Sequence, residues 1–130
     1  MSKQKILIID DDETTVLMLQ QILAKNGFEH EMALNGKAGL DILNKDEKID
    51  GVILDIIMPE MDGHETLKHI KQTPKIKDTP VLMLTGVTAI ADVSECLSMG
   101  ASDYMVKPFD EETLISRLQK ILPLTIGFED

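Results

Sequence analysis

Acidic, hydroxyl and ammonium side chains follow apolar runs at four places along the chain. Asp10 and Asp11 stand at the end of KILIIDD, Asp55 at the end of GVILD, Thr85 at the end of PVLMLT, and Lys107 just after DYMV. If these runs are parallel strands, their carboxyl ends meet at one edge of a sheet. We therefore expect the five side chains to converge, although they are far apart in sequence.

Such a cluster could transfer a phosphoryl group. Carboxylates a few ångströms apart repel and raise one another's pKa values, so a cation is expected among them. Oxygen ligands without His or Cys favour a hard ion, and a site with few protein ligands suits Mg²⁺ better than Ca²⁺, for which the spacing of an EF-hand is absent. A carboxylate could then attack phosphorus while the metal, Lys107 and Thr85 neutralise the transferring oxygens. Taken singly, strand-terminal Asp, Thr and Lys more often cap helices or meet solvent.

The elements that must position these residues alternate along the chain. Three continuous apolar runs predict strands buried on both faces: Lys5 to Asp10, Gly51 to Asp55 and Pro80 to Thr85. Two weaker runs predict edge strands: Phe28 to Leu34 and Asp103 to Val106. Helical patterns lie between them at Thr14 to Asn26, Lys37 to Asp46, His64 to Gln72, Ala89 to Met99 and Glu111 to Leu122. Gly27 and Gly100 are expected to end helices, and Asp110 to begin one. The fold class is α/β, (βα)5: a five-stranded parallel sheet of flavodoxin-like order 2-1-3-4-5, with helices on both faces.

Composition sets the broader class. The 130 residues fit one soluble domain, expected at residues 1–122, with residues 123–130 as a C-terminal tail or linker stub. A formal charge of -10 disfavours direct binding to nucleic acid or anionic membrane. One cysteine, Cys96, allows no internal disulfide, and the N-terminus resembles neither a signal peptide nor a membrane span. A cytoplasmic location is expected.

From about Lys5 to Leu122 the sequence resembles the receiver domains of response regulators in two-component signalling, of the chemotaxis-regulator type. The shared motifs are Asp10 and Asp11 in ILIIDDDE, Asp55 in VILDIIMPEMDG, Thr85 in VLMLTG, and Tyr104, Lys107 and Pro108 in SDYMVKPF. The resemblance implies a phosphorelay switch that catalyses only its own phosphorylation and dephosphorylation. The resemblance thus implies a phospho-acceptor domain rather than a turnover enzyme.

Carried over residue by residue, the resemblance makes Asp55 the phosphorylated residue. Asp11 and Asp55 would bind Mg²⁺ directly, Asp10 largely through water, and the backbone carbonyl of Ile57 would complete the protein ligands. Thr85 would hydrogen-bond the phosphoryl oxygens and Lys107 would pair with them.

The same resemblance assigns structural roles around the site. Met58-Pro59 and Asp62-Gly63 would shape the turn after the third strand, with Asp62 capping the next helix. It also implies a cis bond between Lys107 and Pro108.

Further expectations concern switching and lifetime. On phosphorylation Thr85 would move toward the phosphate and Tyr104 would turn inward. The surface formed by the fourth helix, fifth strand and fifth helix would then change its affinity for a partner. The alternative is that Tyr104 has no switching role and is simply an amphipathic aromatic residue on an edge strand. Ile57 and Val87, at positions variable in the family, offer no amide or carboxylate to orient an attacking water. We hypothesise that they give a long-lived phosphoryl group.

A partner surface is expected on the first helix, where Met18, Leu19, Ile22 and Leu23 are predicted to face the sheet. Val16 and Leu17 would then be exposed and could dock the phosphodonor, a histidine kinase or histidine-containing phosphotransfer protein; scattered surface apolars are the alternative. The signal would pass to a downstream protein or output domain from a monomer or weak homodimer. His30, His64 and His69 are interpreted as surface histidines, since their spacing brings no two onto one helix face.

A haloacid-dehalogenase-like phosphatase is the competing interpretation. The segment from Asp10 to Thr14 also fits that superfamily's Asp-x-Asp-x-Thr opening, and Thr85 and Lys107 fit its later motifs. Asp10 would then be the nucleophile and Asp12 the general acid/base. The short chain, the absence of an acidic pair at the expected place after Lys107 and the unexplained LDIIMPEMDG segment weigh against it.

Overall fold

The structure is a computed structural model that describes residues 3–45 and 48–123. Its five strands are β1 (Lys5–Ile9), β2 (Glu29–Ala33), β3 (Gly51–Asp55), β4 (Val81–Thr85) and β5 (Asp103–Val106). The α-helices are α1 (Glu13–Lys25), α2 (Gly36–Leu43), α3 (Gly63–Gln72), α4 (Val93–Ser98) and α5 (Glu111–Ile121). All paired strands are parallel, and the sheet order is β2-β1-β3-β4-β5. The predicted fold class is confirmed.

Strand burial follows the composition of each run. All residues of β3 and β4 are buried, as are the four apolar residues of β1, whereas β2 and β5 each contain one buried residue. Strands covered by helices on both faces need apolar side chains on both, which explains the continuous runs. The predicted distinction between central and edge strands is confirmed.

Each face of the sheet carries its own hydrophobic core. Successive side chains of a strand point to opposite faces, so Leu7 and Ile9 of β1 pack with residues of α2, α3 and α4, while Ile6 and Ile8 pack with residues of α1 and α5. Both faces are therefore closed, and the carboxyl edge of the sheet is the place where polar groups can gather.

Helix boundaries agree with the signals in the sequence. Asp62 and Asp110 cap α3 and α5, because their side chains accept hydrogen bonds from the N–H groups of Glu65 and Thr113. Gly27 and Gly100 have φ values of +85° and +114°, a left-handed conformation that glycine adopts without steric cost. These four predictions are confirmed.

The expectation for α1 is confirmed for Leu19, Ile22 and Leu23, which pack on the sheet, but was wrong for Met18 and Val16. Val16 is buried, with Leu19 and Leu23 following at helical spacing, whereas Met18 is 40% exposed. Between Val16 and Leu23 six positions are apolar, so two different stripes could face the sheet, and the packing against β1 selects the one that begins at Val16. Leu17 is exposed as predicted. Val16 is thus removed from the predicted docking pair.

The segment predicted as one helix from Ala89 to Met99 is divided. A 3-10 helix spans Val87–Asp92, and α4 begins only at Val93. Among the described residues no helix is both long enough and apolar enough to cross a lipid bilayer. The expected tail falls mainly on residues 124–130, which lie outside the described part of the chain.

Candidate functional site

Three carboxylates meet at the carboxyl edge of the sheet, as predicted. Asp10 and Asp11 follow β1, and Asp55 is the last residue of β3, the neighbouring strand. One carboxylate oxygen from each of the three lies within 4.8 Å of the others. Asp10 and Asp55 are buried, whereas Asp11 is exposed. The site is therefore open to solvent on the side of Asp11.

Lys107 supplies the cationic group. Its Nζ lies 3.3 Å from Asp10 Oδ2 and 3.7 Å from Asp55 Oδ2, and its backbone N–H donates to the Thr85 carbonyl at the end of β4. The Lys107–Pro108 peptide bond is cis, as the resemblance implied. Lys107 thus contacts two of the three carboxylates. Because it follows β5 and is hydrogen-bonded to the end of β4, it connects these two strands to the acidic cluster.

Electrostatic strain is concentrated on Asp55. Burial, and next the negative charge of Asp10, raise the pKa of Asp55 to about 7, while the ammonium of Lys107 opposes that rise. One positive group is therefore insufficient to neutralise the cluster.

The donor set fits a hard divalent cation. Asp10 Oδ1 accepts a hydrogen bond from the Asp12 N–H, whereas the buried Asp10 Oδ2 accepts no hydrogen bond in the described structure and has only the 3.3 Å ion pair with Lys107 Nζ. With Asp11 and Asp55, it presents only oxygen ligands, which Mg²⁺ prefers. A cation here would satisfy the buried oxygen and offset the mutual repulsion of the carboxylates.

Thr85 and Tyr104 occupy neighbouring strands beside this cluster. Thr85 is fully buried at the end of β4, and its hydroxyl donates to the Gly86 carbonyl. Tyr104 is half-buried on β5, and the Arg117 guanidinium stands 5.5 Å from the centre of its ring. Arg117 Nη1 also donates to the Tyr104 carbonyl and to Asp103 Oδ1. Arg117 therefore restrains the predicted switch residue.

Sequence reasoning did not find Arg117. It is thirteen residues from Tyr104 and belongs to α5, so no local spacing connects the two. The only available signal was its place on a helix predicted to adjoin the fifth strand.

Apolar side chains flank the pocket mouth. Ile57 is 60% exposed and Val87 is 69% exposed, so both are accessible to solvent, as the hypothesis about phosphoryl lifetime requires. Neither side chain can donate or accept a hydrogen bond.

Gly63 holds α3 against the end of β3. Its N–H donates to the Ile56 carbonyl at 2.7 Å, and a Cβ added at Gly63 would stand only 2.4 Å from the Asp55 carbonyl oxygen. Such an approach requires glycine, which agrees with the structural role expected for the Asp62-Gly63 pair. The backbone that carries Asp55 is thus fixed by the first turn of α3.

Asp12 is occupied as a helix cap. Its side chain accepts hydrogen bonds from the Thr14 N–H and the Thr15 hydroxyl, and the Thr15 bond is the main cause that holds the Asp12 pKa below its ordinary value. A general acid needs a pKa near the working pH. This arrangement weighs against the phosphatase interpretation.

Comparison with known proteins agrees with the fold. The family described as "Response regulator receiver domain" matches residues 6–119. The transcriptional regulatory protein CpxR of Escherichia coli K12 is 40% identical over 118 residues, which are 91% of this chain and 49% of CpxR. Response regulator MprA of Mycolicibacterium vanbaalenii is 36% identical over 121 residues, 93% of this chain and 51% of MprA. The chain spans about half the length of the curated relatives it matches.

Solved structures show the same architecture. The chemotaxis protein CheY4 of Vibrio cholerae superposes with a TM-score of 0.86 at 35% identity, covering 93% of this chain and all of CheY4. A putative response regulator from Chloroflexus aurantiacus has a TM-score of 0.86 at 34% identity, covering 92% of this chain and 97% of its own.

Proposed function

The chain belongs to the response regulator receiver domain family of two-component signalling, and we propose that it accepts a phosphoryl group on Asp55 in a Mg²⁺-dependent reaction. The observation that supports this most directly is the group around Asp55, where two further carboxylates and the Lys107 ammonium surround one buried acid. Burial and the charge of Asp10 raise the pKa of Asp55 to about 7, so a bound cation would favour its charged form.

Each residue of the site has a separate role in the proposed phosphoryl transfer. An oxygen of Asp55 attacks phosphorus, the bond between phosphorus and the donor histidine nitrogen breaks, and the imidazole leaves with the electron pair. Asp11, Asp55 and the Ile57 carbonyl would hold Mg²⁺, with Asp10 acting through water, and the ion supplies charge neutralisation. Lys107 pairs with the transferring oxygens and Thr85 hydrogen-bonds them.

Switching is proposed to pass through Thr85 and Tyr104. In the structure the Thr85 hydroxyl donates a hydrogen bond to the backbone carbonyl of Gly86, which is a neutral acceptor. A charged phosphoryl oxygen is a stronger acceptor and can take its place. As Thr85 moves, Tyr104 turns inward and changes the surface formed by α4, β5 and α5. A downstream protein or an output domain would read this surface.

The phosphodonor would be a histidine kinase or histidine-containing phosphotransfer protein. Leu17 and Met18 are both exposed on α1, which begins directly after the acidic residues, and they replace the pair Val16 and Leu17 as the candidate docking surface. Loss of transfer from the donor in Leu17→Lys, with small-molecule phosphorylation unchanged, would support docking there. Equal transfer by wild type and variant would contradict it.

We further propose that residues 1–122 form the receiver unit and act in the cytoplasm without binding nucleic acid directly, as a monomer or weak homodimer. The relatives CpxR and MprA are a transcriptional regulatory protein and a response regulator, respectively. Output through a partner or a separate domain is consistent with both names. Catalysis is limited to the domain's own phosphorylation and dephosphorylation.

Intact-mass measurement tests the proposal. The protein is incubated with Mg²⁺ and acetyl phosphate or phosphoramidate, and wild type is compared with Asp55→Asn and Asp10→Asn. The control variant is Asp50→Asn, because the Asp50 carboxylate lies just before β3, away from the acidic cluster. Stable addition of one phosphoryl group in wild type and Asp50→Asn, lost in Asp55→Asn, is expected. Repeated turnover that depends on Asp10 would overturn it in favour of a phosphatase.

A further inference from the structure

A second group of possible metal ligands lies between α3 and α4. It contains His64 from the first turn of α3, Asp92 at the end of the 3-10 helix, and Glu95 from the first turn of α4. One ligand atom from each lies within 4.8 Å of the others. Among the described residues, this group and the acidic cluster around Asp55 are the two that meet this criterion. We propose that His64, Asp92 and Glu95 bind a divalent transition-metal ion of the Zn²⁺ class.

Ligand spacing supports this proposal. His64 Nε2 and Glu95 Oε1 are 3.3 Å apart. In a tetrahedral site with zinc–ligand bonds of about 2.0–2.1 Å, neighbouring ligand atoms are about 3.3–3.4 Å apart. The two side chains are therefore already at the separation that one shared ion imposes.

The imidazole nitrogen needs a partner that the protein does not provide. His64 Nε2 is buried and has no hydrogen-bond partner in the described structure, although the side chain as a whole retains 22% exposure. Its contact with Glu95 lacks hydrogen-bond geometry. A buried polar atom without a partner is costly, and a metal ion would satisfy the lone pair of a neutral imidazole directly.

The two carboxylates lie on either side of the boundary between the 3-10 helix and α4. Asp92 and Glu95 are three residues apart, a spacing that places side chains on the same face. Asp92 is partly buried, and the Glu95 side chain is 68% exposed and can adjust to an ion. The cleft beside His64 and Glu95 has a volume of about 660 Å³ and is lined by acidic and basic side chains, among them Asp62, Glu65, Lys68 and Lys71. It gives an ion access and leaves room for a water molecule as fourth ligand.

Donor chemistry separates this site from the one around Asp55. An imidazole with two carboxylates favours Zn²⁺, Ni²⁺ or Cu²⁺, whereas an all-oxygen cluster favours Mg²⁺. The proposed ion would tie the 3-10 helix and the start of α4 to α3. It would therefore restrain the segment that follows Thr85 independently of the phosphorylation state of Asp55.

Zinc titration with saturating Mg²⁺ tests the proposal, because Mg²⁺ competes for the acidic cluster. The full chain is titrated with ZnCl₂ in a calorimeter, for wild type, His64→Gln and Glu95→Gln. Wild type is expected to bind one ion, and each variant to bind at least about tenfold more weakly. The matched controls are His69→Gln, an exposed histidine of the same helix, and Glu65→Gln in the same cleft; both are expected to bind as wild type does.

Asp55→Asn identifies binding at the wrong cluster. Zinc affinity that survives in Asp55→Asn and falls in His64→Gln supports the proposal, and the opposite pattern overturns it. Nitrogen-15 spectra of the imidazoles give a second readout, in which His64 Nε2 shifts on addition of Zn²⁺ while His30 and His69 do not. Absence of binding, or equal affinity in wild type and His64→Gln, also overturns it. None of these outcomes depends on phosphorylation of Asp55.

Discussion

The acidic cluster of Asp10, Asp11 and Asp55 and the mixed cluster of His64, Asp92 and Glu95 differ in how the fold supports them. The first follows two adjacent strands, has two buried members and has an ammonium as counter-charge. The second stands on two helical segments and is partly exposed. Burial makes the first electrostatically strained, which is visible in the raised pKa of Asp55. The ends of adjacent buried strands therefore bring carboxylates together in a place where water screens their repulsion poorly, whereas the mixed cluster includes a side chain, Glu95, that is 68% exposed to water.

Gly63 joins the two clusters. It precedes His64 in the chain, and its backbone lies against the end of β3 that carries Asp55. Any displacement of the first turn of α3 should therefore affect both clusters together.

The largest effect is expected from Gly63→Ala. A methyl group 2.4 Å from a backbone oxygen must push α3 away from β3, and we expect a loss of about 3 kcal/mol in the free energy of unfolding. Urea unfolding measures it. Gly86→Ala is the control, because a Cβ there meets no atom within 4 Å, and it should change stability by no more than about 0.5 kcal/mol. Equal losses in the two variants would show that the approach of α3 to β3 is not tight.

The next effect is a pH-dependent gain in Asp55→Asn. The pKa of Asp55 is raised from 3.8 to about 7 in the folded chain, so the folded protein keeps this proton more tightly than the unfolded chain does. The free energy of unfolding of wild type is therefore highest below pH 3.8 with respect to this group, and it falls as the pH rises through about 7. Without metal at pH 8, Asp55→Asn should be more stable than wild type by roughly 2 kcal/mol, allowing for screening by water. Urea unfolding from pH 4 to pH 8 measures this difference.

Addition of Mg²⁺ is the control for the Asp55 prediction. The ion should stabilise wild type at pH 8 and have much less effect on Asp55→Asn, because one ligand and one charge are missing. A stability difference that does not change with pH would contradict the assignment of strain to Asp55.

A smaller effect is expected at the mouth of the acidic cluster. In Ile57→Asn, an amide replaces an exposed apolar side chain and can orient a water toward phospho-Asp55. Loss of the phosphoryl group should be about tenfold faster, a barrier change of about 1.4 kcal/mol. Intact mass followed over time after removal of the phosphodonor measures it. The control is Ile90→Asn, at another exposed position on the 3-10 helix; faster decay in wild type than in Ile57→Asn would refute the hypothesis.

The smallest effect is expected at the mixed cluster. Glu95→Gln removes the 3.3 Å contact with His64, but the Glu95 side chain is 68% exposed. In metal-free buffer the free energy of unfolding should therefore change by no more than about 0.5 kcal/mol. Thermal and urea unfolding measure it. A loss of more than 2 kcal/mol would show that this pair is as strained or as structural as the acidic cluster, and the comparison would fail.

The predictable part of the site depends on strands. Asp10, Asp55 and Lys107 could be brought together from sequence because each follows a recognisable apolar run, and parallel strands place their carboxyl ends at one edge. No side-chain detail was needed for that inference. The caps at Asp62 and Asp110 and the left-handed glycines were equally local, since each depends on a residue type at a helix end.

The rotation of α1 was not predictable in the same way. Six apolar residues between Val16 and Leu23 allow more than one buried stripe, and the choice changes which side chains could meet a partner. The break between the 3-10 helix and α4 was missed for a related reason. Helical spacing identifies a segment, but the packing of that segment against β4 decides its geometry.

The sequence by itself determined the α/β class, the strand order and the residues at the carboxyl edge, because strand composition and β-α alternation restrict these strongly. Only the tertiary structure decided that Val16 is buried, that Arg117 restrains Tyr104, and that His64 meets two carboxylates of another helical segment. These contacts depend on how helices rotate and pack on the sheet, which is set by side-chain fit across elements distant in sequence. A local pattern identifies the face of a strand, whereas the neighbours of a helix are known only once the helices are packed.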